Sequence, residues 1–377
     1  MMPDLTFIHT ADVHLGAPFL FLGRKGREHR EQLKTTFSRV VDLALASQAD
    51  LLIICGDLFD RPYPGAELVG EAAFQIDRLS REGIWTVIVP GTHDPLKEGG
   101  VYEQPALKSI PNLHVFSDED LTPFPIPGLD LVIYGAAWSG RRHNPLAGFR
   151  PRDEARWRVG ALHASVRLPG RVEEDGVWVD RESIASSGLH YLALGHWHSF
   201  SGREEDGVSA YYPGPPEPLG METEGDGVVL AVKLSEGGKA EVKPLRTGRR
   251  RFLSLELDGA VLGGPEELYG HLRGMAHPDL ALRVRVRRAW GEAWSRFDAE
   301  RLEEELSTLF FHLSLQVELG SCRSWEVDDF PENTVAGRFL RLARREMAGL
   351  EGEDLEVAEE ALRLGLFHLS GGEAGSC

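Results

Sequence analysis

Apolar residues in this chain fall into short, near-continuous runs, each closed by a polar or glycine-containing string. The runs at 5–10, 51–55, 85–89, 131–135, 159–162 and 191–194 are rich in Val, Ile and Leu and show no strict alternation. A strand with one wet face would alternate, so these read as strands covered on both faces of a sheet. Between them, 28–46 and 66–81 repeat apolar residues at helical spacing and are read as crossover helices. Strands and helices in turn predict an α/β fold with a largely parallel sheet. The stretch 208–245 predicts further strands, interrupted by Pro213-Gly214-Pro215-Pro216-Glu217-Pro218.

The pattern changes near Thr247-Gly248-Arg249. From 252 to 319 it reads strand, helix, strand, helix, strand: a small α+β unit. Past Pro331, 335–347 and 355–367 have the spacing of two amphipathic helices. The expected division is therefore 1–247, 248–328 and 329–377, with a Gly-rich tail at 370–377 expected to fray. There is no internal repeat and no Gly-x-x-x-x-Gly-Lys-Ser/Thr string, so any ATP-driven step would need another chain.

Composition narrows the classes. The chain has 377 residues, more than one typical domain, and 42% apolar residues supply a sizeable core. No apolar run is long enough to span a bilayer, and the N-terminus lacks the basic, apolar and small-residue order of a signal peptide. Three cysteines, Cys55, Cys322 and Cys377, have no metal-like spacing and argue for a reducing cytoplasm over a disulfide framework. A net charge of −18 speaks against a nucleic-acid partner, yet placement matters more than the sum. Eight arginines lie between Arg141 and Arg171 against Asp153 and Glu154, and Arg283, Arg285 and Arg287 alternate with Val284 and Val286. A solvated face is the favoured reading of both segments; they leave DNA open as a partner without establishing it.

The strings that close the strands carry the chemistry. They are Asp12-Val13-His14, Gly56-Asp57-Leu58-Phe59-Asp60, Gly91-Thr92-His93-Asp94, His163, and Gly195-His196-Trp197-His198. The carboxyl ends of strands are where α/β sheets place their sites. Carboxylate oxygen with imidazole nitrogen suits Mn, Fe or Zn better than Ca or Mg alone. Asp57, with two oxygens, can bridge two cations; Asp60 can orient a neighbour. His93 can stabilise developing charge or protonate a leaving oxygen. Singly, each Asp is as well read as a loop cap and each His as a satisfied structural residue. Together, at successive strand ends, they point to metal-assisted cleavage of a phosphate ester.

This order of strings resembles the calcineurin-like metallophosphoesterase superfamily, over roughly 5–200. His9-Thr10-Ala11-Asp12-Val13-His14-Leu15-Gly16, Gly56-Asp57-Leu58-Phe59-Asp60 and Tyr212-Pro213-Gly214-Pro215-Pro216-Glu217 resemble its DNA-repair exonuclease branch, the SbcD-type nuclease subunit, which usually has Ser where Pro215 stands. The resemblance implies an αββα sandwich, a small capping domain and C-terminal helices that dock a partner. It implies one metal held by Asp12, His14, Asp57 and His198, and a second by Asp57, residue 92, His163 and His196. His93, steadied by Asp60, would sit over the scissile phosphate. Two cations, on the order of 3.5–4 Å apart in such sites, activate a water and neutralise charge on phosphorus. Mn²⁺ is the favoured ion, with Mg²⁺, Fe²⁺ or Zn²⁺ as alternatives; the implied partners are DNA, an SbcC-type SMC-like ATPase and a second copy of the chain. Position 92 departs from the pattern. The family places Asn there, and Thr92 has a shorter hydroxyl, so the expectation is a weakened second site. The competing reading is a phosphodiesterase for a small nucleotide or lipid-linked diphosphate; a non-catalytic binding module ranks last because every other ligand position is intact.

Overall fold

The computed structural model describes residues 4–167, 176–222, 226–259, 261–289, 294, 297–319 and 330–369. Arg171, Cys322, Cys377 and the 370–377 tail lie outside them. The chain divides into two compact units, one ending at Phe252 and one starting at Leu253.

The first unit is built on β1 (Leu5–Thr10), β2 (Leu51–Cys55), β3 (Trp85–Val89) and β4 (Leu113–Val115), which run parallel in that order. The helix α1 (Lys25–Ala46) joins β1 to β2, and α2 (Ala66–Arg81) joins β2 to β3. Strands β1–β3 are buried along almost their whole length, which is why their sequences do not alternate. A second sheet follows: β5 (Thr122–Pro125), β6 (Leu131–Ala136) and β7 (Trp157–His163). After the short pair β8 (Ser165–Val166) and β9 (Trp178–Val179) come β10 (Tyr191–Gly195), β11 (Ser201–Glu205) and β12 (Val208–Tyr212). Its order is β11-β12-β10-β7-β6-β5, parallel through the middle with antiparallel edges at β5 and β11. The chain then returns to the first sheet as β13 (Val228–Leu234) and β14 (Ala240–Arg246), antiparallel on the β1 side.

Between the two sheets lies one apolar core. Phe7, Leu51, Ile53 and Val87 from the first face Ile133, Val159, Ala161, Tyr191 and Ala193 from the second. Fully burying an aliphatic or aromatic side chain contributes about 1.5–3 kcal/mol, so this layer is what locks the sheets together. The outer face of the second sheet buries Leu162, Leu192 and Leu194 against Leu146 and Ile184. The result is the layered α/β sandwich expected from the sequence.

The second unit holds a three-stranded sheet, β15 (Arg251–Asp258), β16 (Leu280–Ala289) and β17 (His312–Leu319), with the helices Pro265–Gly274 and Ala299–Leu306. The strand-helix-strand-helix-strand order matches the expectation. On β16, Val284 and Val286 are buried while Arg285 and Arg287 are exposed and paired with Glu318 (2.9 Å) and Glu256 (3.0 Å). Arg141 likewise meets Asp120 at 3.1 Å, and Arg158 meets Asp153 at 3.1 Å. These arginines serve solvated faces with acids beside them. The helices Val335–Met347 and Glu353–Leu369 pack on each other through Leu340, Leu366 and Phe339, leaving Val335 and Leu342 exposed. No helix among the described residues is long and apolar enough to cross a membrane.

Candidate metal centre

The parallel strands of both sheets end at one place. Asp12 and His14 follow β1; Asp57 and Asp60 follow β2; Thr92, His93 and Asp94 follow β3. From the second sheet, His163 ends β7, and His196 and His198 follow β10. The sheets come so close there that a Cβ on Gly195 would collide with the carbonyl oxygen of Cys55. A residue without a side chain is required at that crossing.

The turns themselves are tightly wound. Asp12, His14, Asp57 and His196 have φ of 53°, 50°, 52° and 96°, the left-handed region that side chains other than glycine's seldom adopt. Main-chain bonds hold them: Asp12 N–H donates to Gly56 O (3.1 Å) and His14 N–H to Asp57 O (2.9 Å). Unusual backbone of this kind persists where its surroundings over-determine it, and clusters at functional sites.

Two groups of side chains gather their donor atoms within 4.8 Å of one another: Asp12, His14 and His198, and Asp12, Asp57 and His163. A third, His14, Asp60 and His93, adjoins them. His163 Nδ1–H donates to Cys55 O (2.9 Å), which turns Nε2 toward Asp57 Oδ2, 3.3 Å away. His14 Nδ1 faces Asp60 Oδ1 at 3.3 Å, which directs its Nε2 toward Asp57 Oδ2, 3.7 Å away. Both Nε2 atoms are buried without a hydrogen-bond partner. Buried polar atoms are normally satisfied, and two orphaned imidazole nitrogens beside two buried carboxylates fit divalent cations of the Mn, Fe or Zn kind.

The electrostatics agree. Burial pushes the Asp12 carboxyl up to about 6. Burial opposes charge on Asp57 as well, but His163 and His14 outweigh it and hold that carboxyl well below its usual range. Burial would lower His163, yet Asp57 and Asp12 beside it raise it to about 9. Burial, with His14 next, depresses His198 to about 4. The pocket thus draws cationic character to its centre and keeps its outer imidazole neutral and free to ligate.

Thr92 reaches the centre: its hydroxyl donates to Asp57 Oδ2 at 3.0 Å. His93 N–H donates to Asp57 Oδ1 at 2.7 Å, so both outer oxygens of Asp57 are oriented from the β3 turn. The His93 ring is 49% exposed, the open side of the site, and its Nδ1 lies 3.3 Å from Asp60 O. Asp60 therefore touches His93 chiefly by its main chain, and its carboxylate is nearer His14 (3.3 Å) than His93 (3.8 Å). The imidazole of His196 stands 5.1 Å, ring centre to ring centre, from His163 and joins none of the three groups. Its main chain contributes directly, with the N–H donating to both Asp12 oxygens at 3.1 and 3.2 Å.

Sequence reasoning assigned no role to Asp94. It is fully buried and accepts from Gly91 N–H (2.8 Å), Phe59 N–H (3.0 Å), Asp57 N–H (3.2 Å) and Tyr102 O–H (2.6 Å). Four donors on two oxygens identify a carboxylate, and it pins the β2 turn to the β3 turn. An Asp three residues past a strand-end glycine was the available signal.

A family model described as calcineurin-like phosphoesterase matches residues 5–200. The chain is 29% identical over 247 residues to the uncharacterized metallophosphoesterase YhaO of Bacillus subtilis, covering 63% of this chain and 59% of that protein. It is 30% identical over 247 residues to the DNA double-strand break repair protein Mre11 of Sulfurisphaera tokodaii, covering 61% and 60%. It is 33% identical over 91 residues to the SbcD component of the SbcCD nuclease of Staphylococcus epidermidis, covering 24% and 23%. In each case the match spans less than two-thirds of the relative's own length. Donor set, strand-end geometry and family match agree: this chain belongs to the calcineurin-like phosphoesterase family of metal-dependent hydrolases.

Proposed function

We propose that this chain is a metal-dependent DNA phosphodiesterase that acts in DNA repair. The observation that carries the reading is the mixed carboxylate–imidazole centre with two orphaned Nε2 atoms, in a chain similar to proteins named Mre11 and SbcD. One ion would be held by Asp12, His14, Asp57 and His198, the other by Asp57, Thr92, His163 and His196, with Mn²⁺ favoured. Bound divalent cations supply Lewis acidity and lower the pKa of a coordinated water. The protein supplies the rest. Asp57 is oriented by Thr92 and the His93 N–H; His14 is oriented by Asp60. His93, with Nδ1 at the Asp60 carbonyl, has Nε2 free to protonate the leaving oxygen from the open side.

The division into 1–247, 248–328 and 329–377 assigns catalysis to the first, a cap to the second and docking of an SbcC-type SMC-like ATPase to the third. Val335 and Leu342, 71% and 53% exposed, supply apolar surface for such docking, as helix-in-groove recognition needs. Phe339 packs on the neighbouring helix. A second copy of the chain and a cytoplasmic setting complete the reading. The test is cleavage of a DNA duplex end compared with bis-p-nitrophenyl phosphate, in Mn²⁺. Preference for the small diester with no DNA cleavage would replace this reading with the small-molecule one. Deleting 331–377 should abolish ATPase binding and spare cleavage.

A further inference from the structure

The Pro-rich segment after β12 takes no part in the chemistry above, yet its one charged residue, Glu217, is fully buried. A buried carboxylate costs several kcal/mol in lost hydration unless every lone pair is engaged, on the order-of-magnitude scale for ions in proteins. Glu217 Oε2 accepts from Thr36 O–H (2.5 Å) on α1 and from Arg249 N–H (3.0 Å), and Oε1 accepts from Arg250 N–H (2.8 Å). Neighbouring bonds reinforce the clamp. His29 Nε2 bonds Pro218 O at 2.9 Å, and Thr247 O–H donates to Pro216 O at 2.7 Å.

The other side of the same segment lies on the metal centre's main chain. Tyr212 O–H donates to Ala164 O (2.7 Å), the residue after His163. Gly214 is packed so closely that a Cβ there would come within 3.2 Å of Ser199 C and 3.3 Å of His198 C. Segment 212–218 is therefore a strap. On one side it meets the main chain of Ala164, next to His163, and of His198; on the other it meets α1 and residues 247–250.

We infer that Glu217 is a positioning residue for His163 and His198: by clamping the strap to α1 and to residues 249–250, it fixes the main chain that carries those two imidazoles. This rests on the reading of the centre as a metal site. Residues 249–250 lie just before the boundary at Phe252–Leu253.

The test is calorimetric titration of the full-length chain with Mn²⁺. Glu217→Gln places an amide donor against one of the main-chain N–H groups; Tyr212→Phe removes the anchor at Ala164. Val69→Ala, in the buried face of α2, serves as a control for lost stability alone. Glu217→Gln should weaken Mn²⁺ binding about tenfold, the lower end of the effect of removing a supporting partner of a metal ligand. Val69→Ala should lower the melting temperature and leave affinity unchanged. In a His198→Ala background the Glu217→Gln penalty should shrink, because one of the two ligands it positions is gone. A folded Glu217→Gln protein with affinity within twofold of wild type overturns the inference, as does a penalty that adds fully to that of His198→Ala. If Glu217→Gln does not fold, Tyr212→Phe decides, and unchanged affinity there overturns it. A wild-type chain that binds no Mn²⁺ refutes the metal-centre reading instead.

Discussion

Replacing Asp94 separates the support of the metal centre from its ligands. Its carboxylate holds four donors, three of them main-chain N–H groups of the β2 and β3 turns. Each buried donor left without a partner costs about 1–3 kcal/mol. Asp94→Ala orphans all four, and its cost of roughly 4 kcal/mol or more is a large share of the 5–15 kcal/mol that holds a typical domain together. Asp94→Asn is gentler. One amide oxygen can still accept two N–H groups, and the Tyr102 hydroxyl can turn to accept from the new amide, so only Phe59 N–H loses its partner. Burial, with Asp57 next, raises the Asp94 carboxyl above its usual range, so removing its charge returns part of that loss. We expect a net cost of about 1–2 kcal/mol for Asp94→Asn, and about 1.5–3 kcal/mol for Tyr102→Phe, which deletes one bond to a charged group. Urea unfolding of the metal-free variants, followed by Mn²⁺ calorimetry, measures both effects. Asp94→Ala as stable as wild type, or destabilised with metal affinity intact, would refute the claim that this carboxylate holds the turns in place.

Three other perturbations test separate links. Thr92→Asn should tighten the weaker of two Mn²⁺ sites by on the order of tenfold, given what ligand-shell changes do elsewhere; two equally tight sites in the wild type would sink the idea of a weak second site. His93→Ala should lower turnover by about 10²–10⁴-fold, the usual worth of a general acid, with bound metal unchanged; full activity in the variant would assign the cleavage to a contaminant. His29 is held by burial at about 4, against 6.5 for an ordinary histidine. As pH falls below 6.5 the unfolded chain binds a proton that the folded chain refuses, so stability drops, by about 2 kcal/mol between pH 7 and pH 5. His29→Gln keeps a donor for Pro218 O and should lose that much less over the same range; identical urea profiles for the two proteins would contradict it.

Much of this architecture was legible because burial on both faces leaves a plain trace. Strands β1, β2 and β3 begin and end where their apolar runs do. What escaped was the periphery. The edge strand β11 reads Ser-Gly-Arg-Glu-Glu and β5 reads Thr-Pro-Phe-Pro, sequences whose strand character comes from a neighbour's hydrogen bonds and not from their own pattern. The helix α1 starts three residues before its apolar spacing does, at Lys25, because charged residues extend a helix without announcing it. At the centre, residue types marked the aspartates and histidines, but not how they are held. Main-chain donors such as His196 N–H and acceptors such as Cys55 O carry no letter of their own in the sequence. Glu217 was visible only as part of a motif, because its partners are 32 to 181 residues away along the chain.

The proposed ligands come from both sheets, with Asp12, His14 and Asp57 on one and His163 and His198 on the other, across the close approach of Gly195 to Cys55. An ion held by these residues would work as a rivet through two plates. Heat or denaturant that lets the plates slide by a fraction of an ångström would strip the rivet while strands and helices are still intact. Ion release should therefore precede loss of helical signal on warming, and added Mn²⁺ should delay the parting of the sheets more than the melting of either one.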